Sequence, residues 1–246
     1  MRKNKRSTNK NDTDYAPPIR KSKSKRKVNP EREYIPPCKF YEPLTDNQED
    51  LGVFYHTHPL VTATGPAGTG KTYTTGMIAA RMLVDSKVKR IVLSRPNVPT
   101  GRSLGHFPGD INDKLAPWLA PILNVLKEGL GAGNYESMLG TQILIQPIET
   151  IRGMSFEDSF VIIDESQNLS IEEIKAITTR IGEGTVMALI GDPKQSDVKR
   201  GSDLSRFVEM CNRNDIEVPS IEFDVEDIVR SDICGDLIRM FHKENL

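Results

Sequence analysis

Gly65-Pro66-Ala67-Gly68-Thr69-Gly70-Lys71-Thr72, set between the apolar run Leu60–Thr64 and the helical periodicity of Thr72–Val84, decides the reading of this chain. It matches G-x-x-x-x-G-K-[ST] in full and has the strand before and the helix after that the pattern requires. Glycines let the backbone curl so that successive N–H groups face phosphate oxygens, and the following helix N-terminus adds favourable partial charge for an anion. Lys71 is placed to reach the β- and γ-phosphates, and the Thr72 hydroxyl to ligate Mg²⁺. A chance glycine-rich turn needs neither flanking element. The expected ligands are therefore ATP and Mg²⁺, with Gly65 through Tyr73 as the binding segment.

Working outward, Val161-Ile-Ile-Asp-Glu165 is an apolar strand ending in two carboxylates, about 90 residues after the loop. Asp164 is expected to hold the metal through water, and Glu165 to polarise the attacking water. Gly191-Asp-Pro-Lys-Gln195 follows the buried run Val186–Ile190 and offers the Gln195 amide at a strand end, or else is a plain turn. Further buried strands are expected at Ile91–Ser94, Ile143–Pro147 and Phe160–Ile163, with helices over Pro117–Lys127 and Ile171–Thr179. Ser170 with Glu173 three residues on forms a capping box for the second of these. Strands alternating with helices predict an α/β fold, a parallel sheet covered on both faces.

Residues 1–27 carry eleven Lys/Arg against Asp12 and Asp14, which leaves 22 basic and 32 acidic residues in the remainder. A basic tail therefore precedes an acidic body. Residues 1–37 hold almost no apolar side chains and are expected to be disordered, with the globular domain over 38–246. The tail reads as a tether for nucleic acid phosphates, as a solubility segment, or as one that folds back onto the acidic body. Cys38, Cys211 and Cys234 are odd in number and far apart, which argues against a disulfide framework. His56 and His58, two apart, suggest a surface pair on one side of a strand rather than a metal site. No apolar run approaches a membrane span, and no secretory signal is visible, so cytoplasmic residence is expected.

The three chemical segments together resemble the first motor domain of superfamily 1 helicases, and more closely the PhoH family, particularly its bacteriophage members. The matching stretches are GPAGTGKTY (65–73), LSRPNVPTGRSLGHFPGDINDKLAPWLAPIL (93–123), IETIRGMSFEDSFVIIDESQNLS (148–170) and TRIGEGTVMALIGDPKQSD (179–197). The resemblance implies a RecA-like ATPase with one motor core, assembled as a ring, a hexamer by analogy, and linked to RNA or DNA in a helicase-like way. For a phage-encoded chain the compartment would be the host cytoplasm. By position Gln48 resembles the adenine-reading glutamine, with a surface side chain as the alternative. Gln167 stands where relatives couple nucleotide state to nucleic acid. Arg230, in Asp-Ile-Val-Arg-Ser, resembles the arginine finger, with Arg180, Arg152 and Arg95 as competitors.

The stretch Ser94–Gly109 is too rich in Gly and Pro for a core element. Its Arg95, Asn97, Thr100, Arg102 and Ser103 are candidates for phosphate contacts, or the segment is a structural loop. Trp118 and Tyr135 could stack on bases, although a Trp among Leu115, Leu119 and Ile122 reads more readily as core. The stretch Ser202–Leu246, about 45 residues, is too short for a second motor domain, so the expected cleft lies between subunits, or the chain is an ATPase that does not translocate. Three functions compete: an oligomeric ATPase coupled to nucleic acid, a nucleotide-dependent switch with slow turnover, and a small-molecule kinase. The Asp164–Glu165 pair with Gln195 suits water as acceptor better than a kinase substrate.

Overall fold

The structure, a computed structural model, describes residues 39, 41–96, 115–195, 202–230 and 232–244. The expected tail and Asn97, Thr100, Arg102 and Ser103 lie outside them. The elements are α1 (Asp46–Thr57), β1 (Leu60–Thr64), α2 (Lys71–Val84), β2 (Arg90–Ser94), α3 (Ala120–Leu130), α4 (Ala132–Met138) and β3 (Ile143–Ile145). They continue with α5 (Ile148–Ile151), β4 (Ser159–Ile163), α6 (Ile171–Thr178), β5 (Val186–Gly191), α7 (Asp203–Arg213), β6 (Ser220–Glu222) and α8 (Asp232–Lys243). The strands form one parallel sheet in the order β3-β2-β4-β5-β1-β6. This is the expected α/β architecture.

Burial on both faces follows from alternation along each strand. Ile91, Leu93, Phe160, Ile162, Ala188 and Ile190 pack under α1 to α4 with Leu51, Tyr55, Ile78, Ile122 and Leu126. Val92, Val161, Ile163, Met187 and Leu189 face the opposite way, against Ile151, Ile174, Ile177 and Leu204. The Tyr55 and Phe160 rings meet edge to face at 5.3 Å between centroids.

Boundaries moved where proline and glycine chemistry dictates. α3 starts at Ala120, later than Pro117, with Pro121 in the first turn, where a missing N–H costs nothing, and ends at Gly131 (φ 78°). β3 stops at Ile145, and Pro147 caps α5 instead of extending the strand. The Ser170–Glu173 capping box is present. His56 stands in the last turn of α1 and His58 at its extended C-cap, so the pair spans a helix end and not one side of a strand. His58 meets Glu217 at 3.2 Å. Trp118 precedes α3 and is 41% exposed, so the core expectation fails, while Tyr135 is buried. Leu119 and Ile122 supply the packing there instead. Among the described residues no helix is long and apolar enough to cross a membrane.

α1 did not emerge from the sequence, although Thr45-Asp-Asn-Gln48 carries a helix-start signal: a threonine N-cap with glutamine at the third helical position. Thr45 Oγ1 accepts from the Gln48 N–H at 3.4 Å.

Replacing Phe160 with Ala should cost about 3–5 kcal/mol, because the ring is fully buried on a central strand and leaves a cavity. Equilibrium denaturant unfolding of the variant against wild type measures it.

Candidate nucleotide site

All six strands run parallel, so their C-terminal ends share one edge of the sheet, where ligands of open α/β folds bind. β5 lies between β1 and β4. The Gly65–Thr72 loop leaves β1, the Asp164–Glu165 pair leaves β4, and Asp192–Gln195 leaves the strand between them. The Gly65 N–H donates to Gly191 O at 3.2 Å, joining the ends of β1 and β5.

The loop admits little else but its own residues. Gly65 has φ 131°, and a Cβ there would stand 2.2 Å from Phe223 O, the carbonyl just past β6. Behind it Gln48, only 2% exposed, donates from Nε2 to Thr69 O at 3.0 Å, while its Oε1 accepts from Leu44 N and from Tyr41 Oη. A Cβ on Gly70 would lie 2.5 Å from that Nε2. Gln48 therefore stands behind the loop with its amide committed to protein groups, and it is absent from the cavity wall.

A cavity of about 610 Å³ opens over the loop. Its wall includes Gly65, Ala67, Gly68, Gly70, Lys71, Thr72 and Tyr73 from the expected binding segment. Asp164, Glu165, Gln195 and Arg230, also singled out in the sequence, line the same space. Pro66 and Thr69 are absent from the wall, and their oxygens accept from Lys71. Arg152 is engaged with Glu173 at 2.9 Å and Arg95 with Glu165 at 3.2 Å. Of the four arginines, Arg230 is the one in the cavity wall. Leu44, Pro121 and Val125 also line it without a signal in the sequence, and Asp192 and Val229 line it from inside the Gly191–Gln195 and Asp-Ile-Val-Arg-Ser segments.

Arg230 reaches the site because Val229 N–H donates to Gly68 O at 3.1 Å, tying the segment before α8 to the loop. Asp227 holds the other end, accepting from Asn47 Nδ2 at 2.7 Å and from the Asp224 N–H at 2.9 Å.

Lys71 Nζ donates to Gly65 O at 2.7 Å, Pro66 O at 2.6 Å and Thr69 Oγ1 at 3.2 Å. Its three donors are thus taken up by the loop's own oxygens, the partners that an incoming phosphate would replace. Burial pushes the ammonium down to about 8, against the opposing pull of Asp192, Asp164, Glu165 and Asp227. Asp164 moves up from the ordinary carboxylate range, through burial first and the neighbouring Glu165 charge second; Arg95, the Glu165 N–H and Lys71 oppose this. Both shifts relax if charge of the right sign enters.

The residues fit Mg²⁺ with a phosphate ligand. Thr72 contributes a hydroxyl and Asp164 a carboxylate, hard oxygen donors of the kind that bind this ion together with substrate phosphates. Among the described residues no cluster of three or more His, Cys, Asp or Glu forms a self-sufficient metal cage.

Glu165 adopts φ 54°, left-handed for a residue with a side chain, at the turn after β4. Its Oε2 accepts from Gln167 Nε2 at 2.6 Å, and Gln167 Oε1 in turn accepts from the Asp192 N–H at 3.0 Å. Gln167, 1% exposed, so ties the end of β4 to the end of β5.

Residues 41–242 match the family described as PhoH-like protein. A PhoH-like protein of Bacillus subtilis (strain 168) is 38% identical over 204 residues, covering 82% of this chain and 64% of that protein. Protein PhoH of Escherichia coli (strain K12) is 38% identical over 180 residues, covering 71% of this chain and 51% of that one. The chain thus spans between half and two thirds of the length of these relatives. Among solved structures, the large terminase of a thermophilic bacteriophage aligns with TM-score 0.48 and 9% identity, over 81% of this chain and 50% of that one.

Nucleotide affinity should be level below pH 8 and fall as the pH rises past it. The free site holds Lys71 at about 8 and a bound triphosphate raises it, so binding above that value requires proton uptake. The expected loss approaches about tenfold per pH unit. Titration of a fluorescent ATP analogue between about pH 7 and 9.5 measures it.

Proposed function

This chain belongs to the PhoH-like protein family, and from that premise we propose that it is an ATPase. In this reading it binds ATP with Mg²⁺ on Gly65–Thr72 and hydrolyses it as a ring of copies, a hexamer by analogy, coupled to single-stranded RNA or DNA. The observation that carries the reading is the convergence of loop, carboxylate pair, Gln195 and Arg230 on one cavity, from three adjacent strand ends and the segment before α8.

Each side chain then has a separate task. Lys71 exchanges its bonds to the loop for bonds to the terminal phosphates, fixing them in place. Thr72 Oγ1 and Asp164 hold the ion, which when bound neutralises phosphate charge. A Glu165 carboxylate oxygen orients the attacking water and takes its proton. Gln195 supplies an amide from the short turn that follows β5. Arg230 brings a cation to the charge that develops on the transferred group, a contribution worth ~10³–10⁵ in rate where it has been removed elsewhere. Because Gln48 supports the loop from behind, we assign it to bracing Gly70; reading adenine would oblige its amide to leave Thr69 O. Leu44, 71% exposed, and Val229, 40% exposed, give the cavity rim an apolar surface for the base.

A second reading, a nucleotide switch with slow turnover, is favoured by one observation: both Glu165 oxygens are engaged, by Arg95 and by Gln167.

Glu165→Gln should retain nucleotide binding and lose turnover by at least ~10²-fold. Single-stranded RNA or DNA should raise wild-type turnover in an assembled state. Steady-state hydrolysis with and without polymer, alongside mass by light scattering, measures both. Slow turnover indifferent to polymer would replace the motor reading with the switch.

A further inference from the structure

Glu165 carries a protein partner on each carboxylate oxygen. Its Oε1 lies 3.2 Å from Arg95 Nη2, and its Oε2 accepts from Gln167 Nε2 at 2.6 Å. A general base must come within hydrogen-bond reach of the proton it removes, and here each oxygen gives one of its two acceptor sites to a protein partner, with the Arg95 guanidinium standing over Oε1. The two partners differ in kind. Gln167 is buried and anchored to the Asp192 N–H, part of the rigid sheet edge. Arg95 stands just beyond β2, and the Arg95 and Glu165 side chains are 24% and 33% accessible.

Arg95 also touches the surface. Its Nη1 donates to Trp118 O at 3.2 Å, and its Cζ sits 5.7 Å from the centroid of the Trp118 ring. Trp118, the single tryptophan of the chain, is 41% exposed. Nothing in the proposed hydrolysis uses that ring. An arginine beside an exposed aromatic is the pair of groups that grips single-stranded nucleic acid elsewhere, the cation on the backbone and the ring under a base.

We propose that Arg95 is a positioning residue that latches Glu165, and that a phosphate of single-stranded nucleic acid, its base stacked on Trp118, draws Arg95 away and frees the carboxylate. This rests on the ATPase reading of the site. Phosphate presents the same paired oxygens to a guanidinium as a carboxylate does, so the exchange keeps Arg95 satisfied. A partly accessible ion pair is weak enough to be displaced in this way. Gln167 continues to hold Glu165 on its other side, so release leaves one oxygen open and the residue in place. Polymer stimulation then needs no movement of the nucleotide loop.

The test uses the full chain as wild type, Arg95→Ala and Arg95→Lys, with folding verified by thermal melts. Turnover is measured with and without a single-stranded homopolymer, and Trp118 emission is followed through an oligonucleotide titration without ATP. Arg95→Ala should raise polymer-free kcat about fivefold, the factor that ~1 kcal/mol of ion pairing represents. Its KM for ATP should stay level and its stimulation by polymer should disappear. Arg95→Lys, which keeps the charge without the fork, should fall between. Oligonucleotide should change Trp118 emission in the wild type and change it less in Arg95→Ala.

A fall in kcat by orders of magnitude in Arg95→Ala would make Arg95 a finger on the phosphate and overturn the latch. Stimulation that survives in Arg95→Ala overturns the latch and leaves the ATPase reading standing. A wild type without hydrolysis overturns the ATPase reading itself; the emission titration still decides the contact, and unaltered Trp118 emission sinks it.

Discussion

The turn at Gly65–Thr72 leaves almost no room around itself, and much of the fold is arranged to fill what little there is. Phe223 O comes so near Gly65 that no side chain can stand there, and Gln48 Nε2 does the same at Gly70. β6 and α1, far apart in the chain, are thereby fixed against one loop. The segment before α8 joins them through the Val229–Gly68 hydrogen bond. A phosphate cradle made of backbone needs such backing, since glycines provide no side chains with which to hold their own shape. The network Tyr41–Gln48–Thr74, with a Tyr41 to Thr74 contact of 2.7 Å, extends the support into the first turn of α2.

Electrostatics then follow from the same crowding. Lys71 is buried among four carboxylates and is still pushed down, because loss of water outweighs their attraction. Asp164 is pushed the other way by burial and by Glu165. Cation and anion are both held in states that a metal–phosphate complex would relieve, so the site's own charges favour that ligand.

Glu165 joins this site to the protein surface. Its left-handed backbone is a conformation that persists where surroundings over-determine it, and Gln167 and Arg95 are those surroundings. One of them is tied to the sheet edge and the other to an exposed ring. The carboxylate therefore sits between a support tied to the sheet edge and one tied to the surface.

The motif loop, the carboxylate pair and the alternation of buried strands with helices were legible in the sequence because each is local: a glycine pattern, a strand ending in acid, short unbroken apolar runs. Strand limits came within a residue or two, failing at Pro147, which caps a helix, and the helix expected from Pro117 begins only at Ala120. Gln195 was offered by its place at a strand end and Arg230 by resemblance, and only the folded chain brings them to one cavity, since the strand order puts β5 between β1 and β4. Gln48 was selected by its distance from the loop, but distance along the chain says nothing about which side of the loop an amide faces. Trp118 followed apolar neighbours into an expected core and instead lies exposed, because it stands before the helix begins and escapes that helix's periodicity. The sequence by itself determined the chemistry of the phosphate site and the class of fold. What only the tertiary structure decided is which side chains support the loop, which face the ligand, and which arginine holds Glu165, because those contacts join residues far apart in the chain.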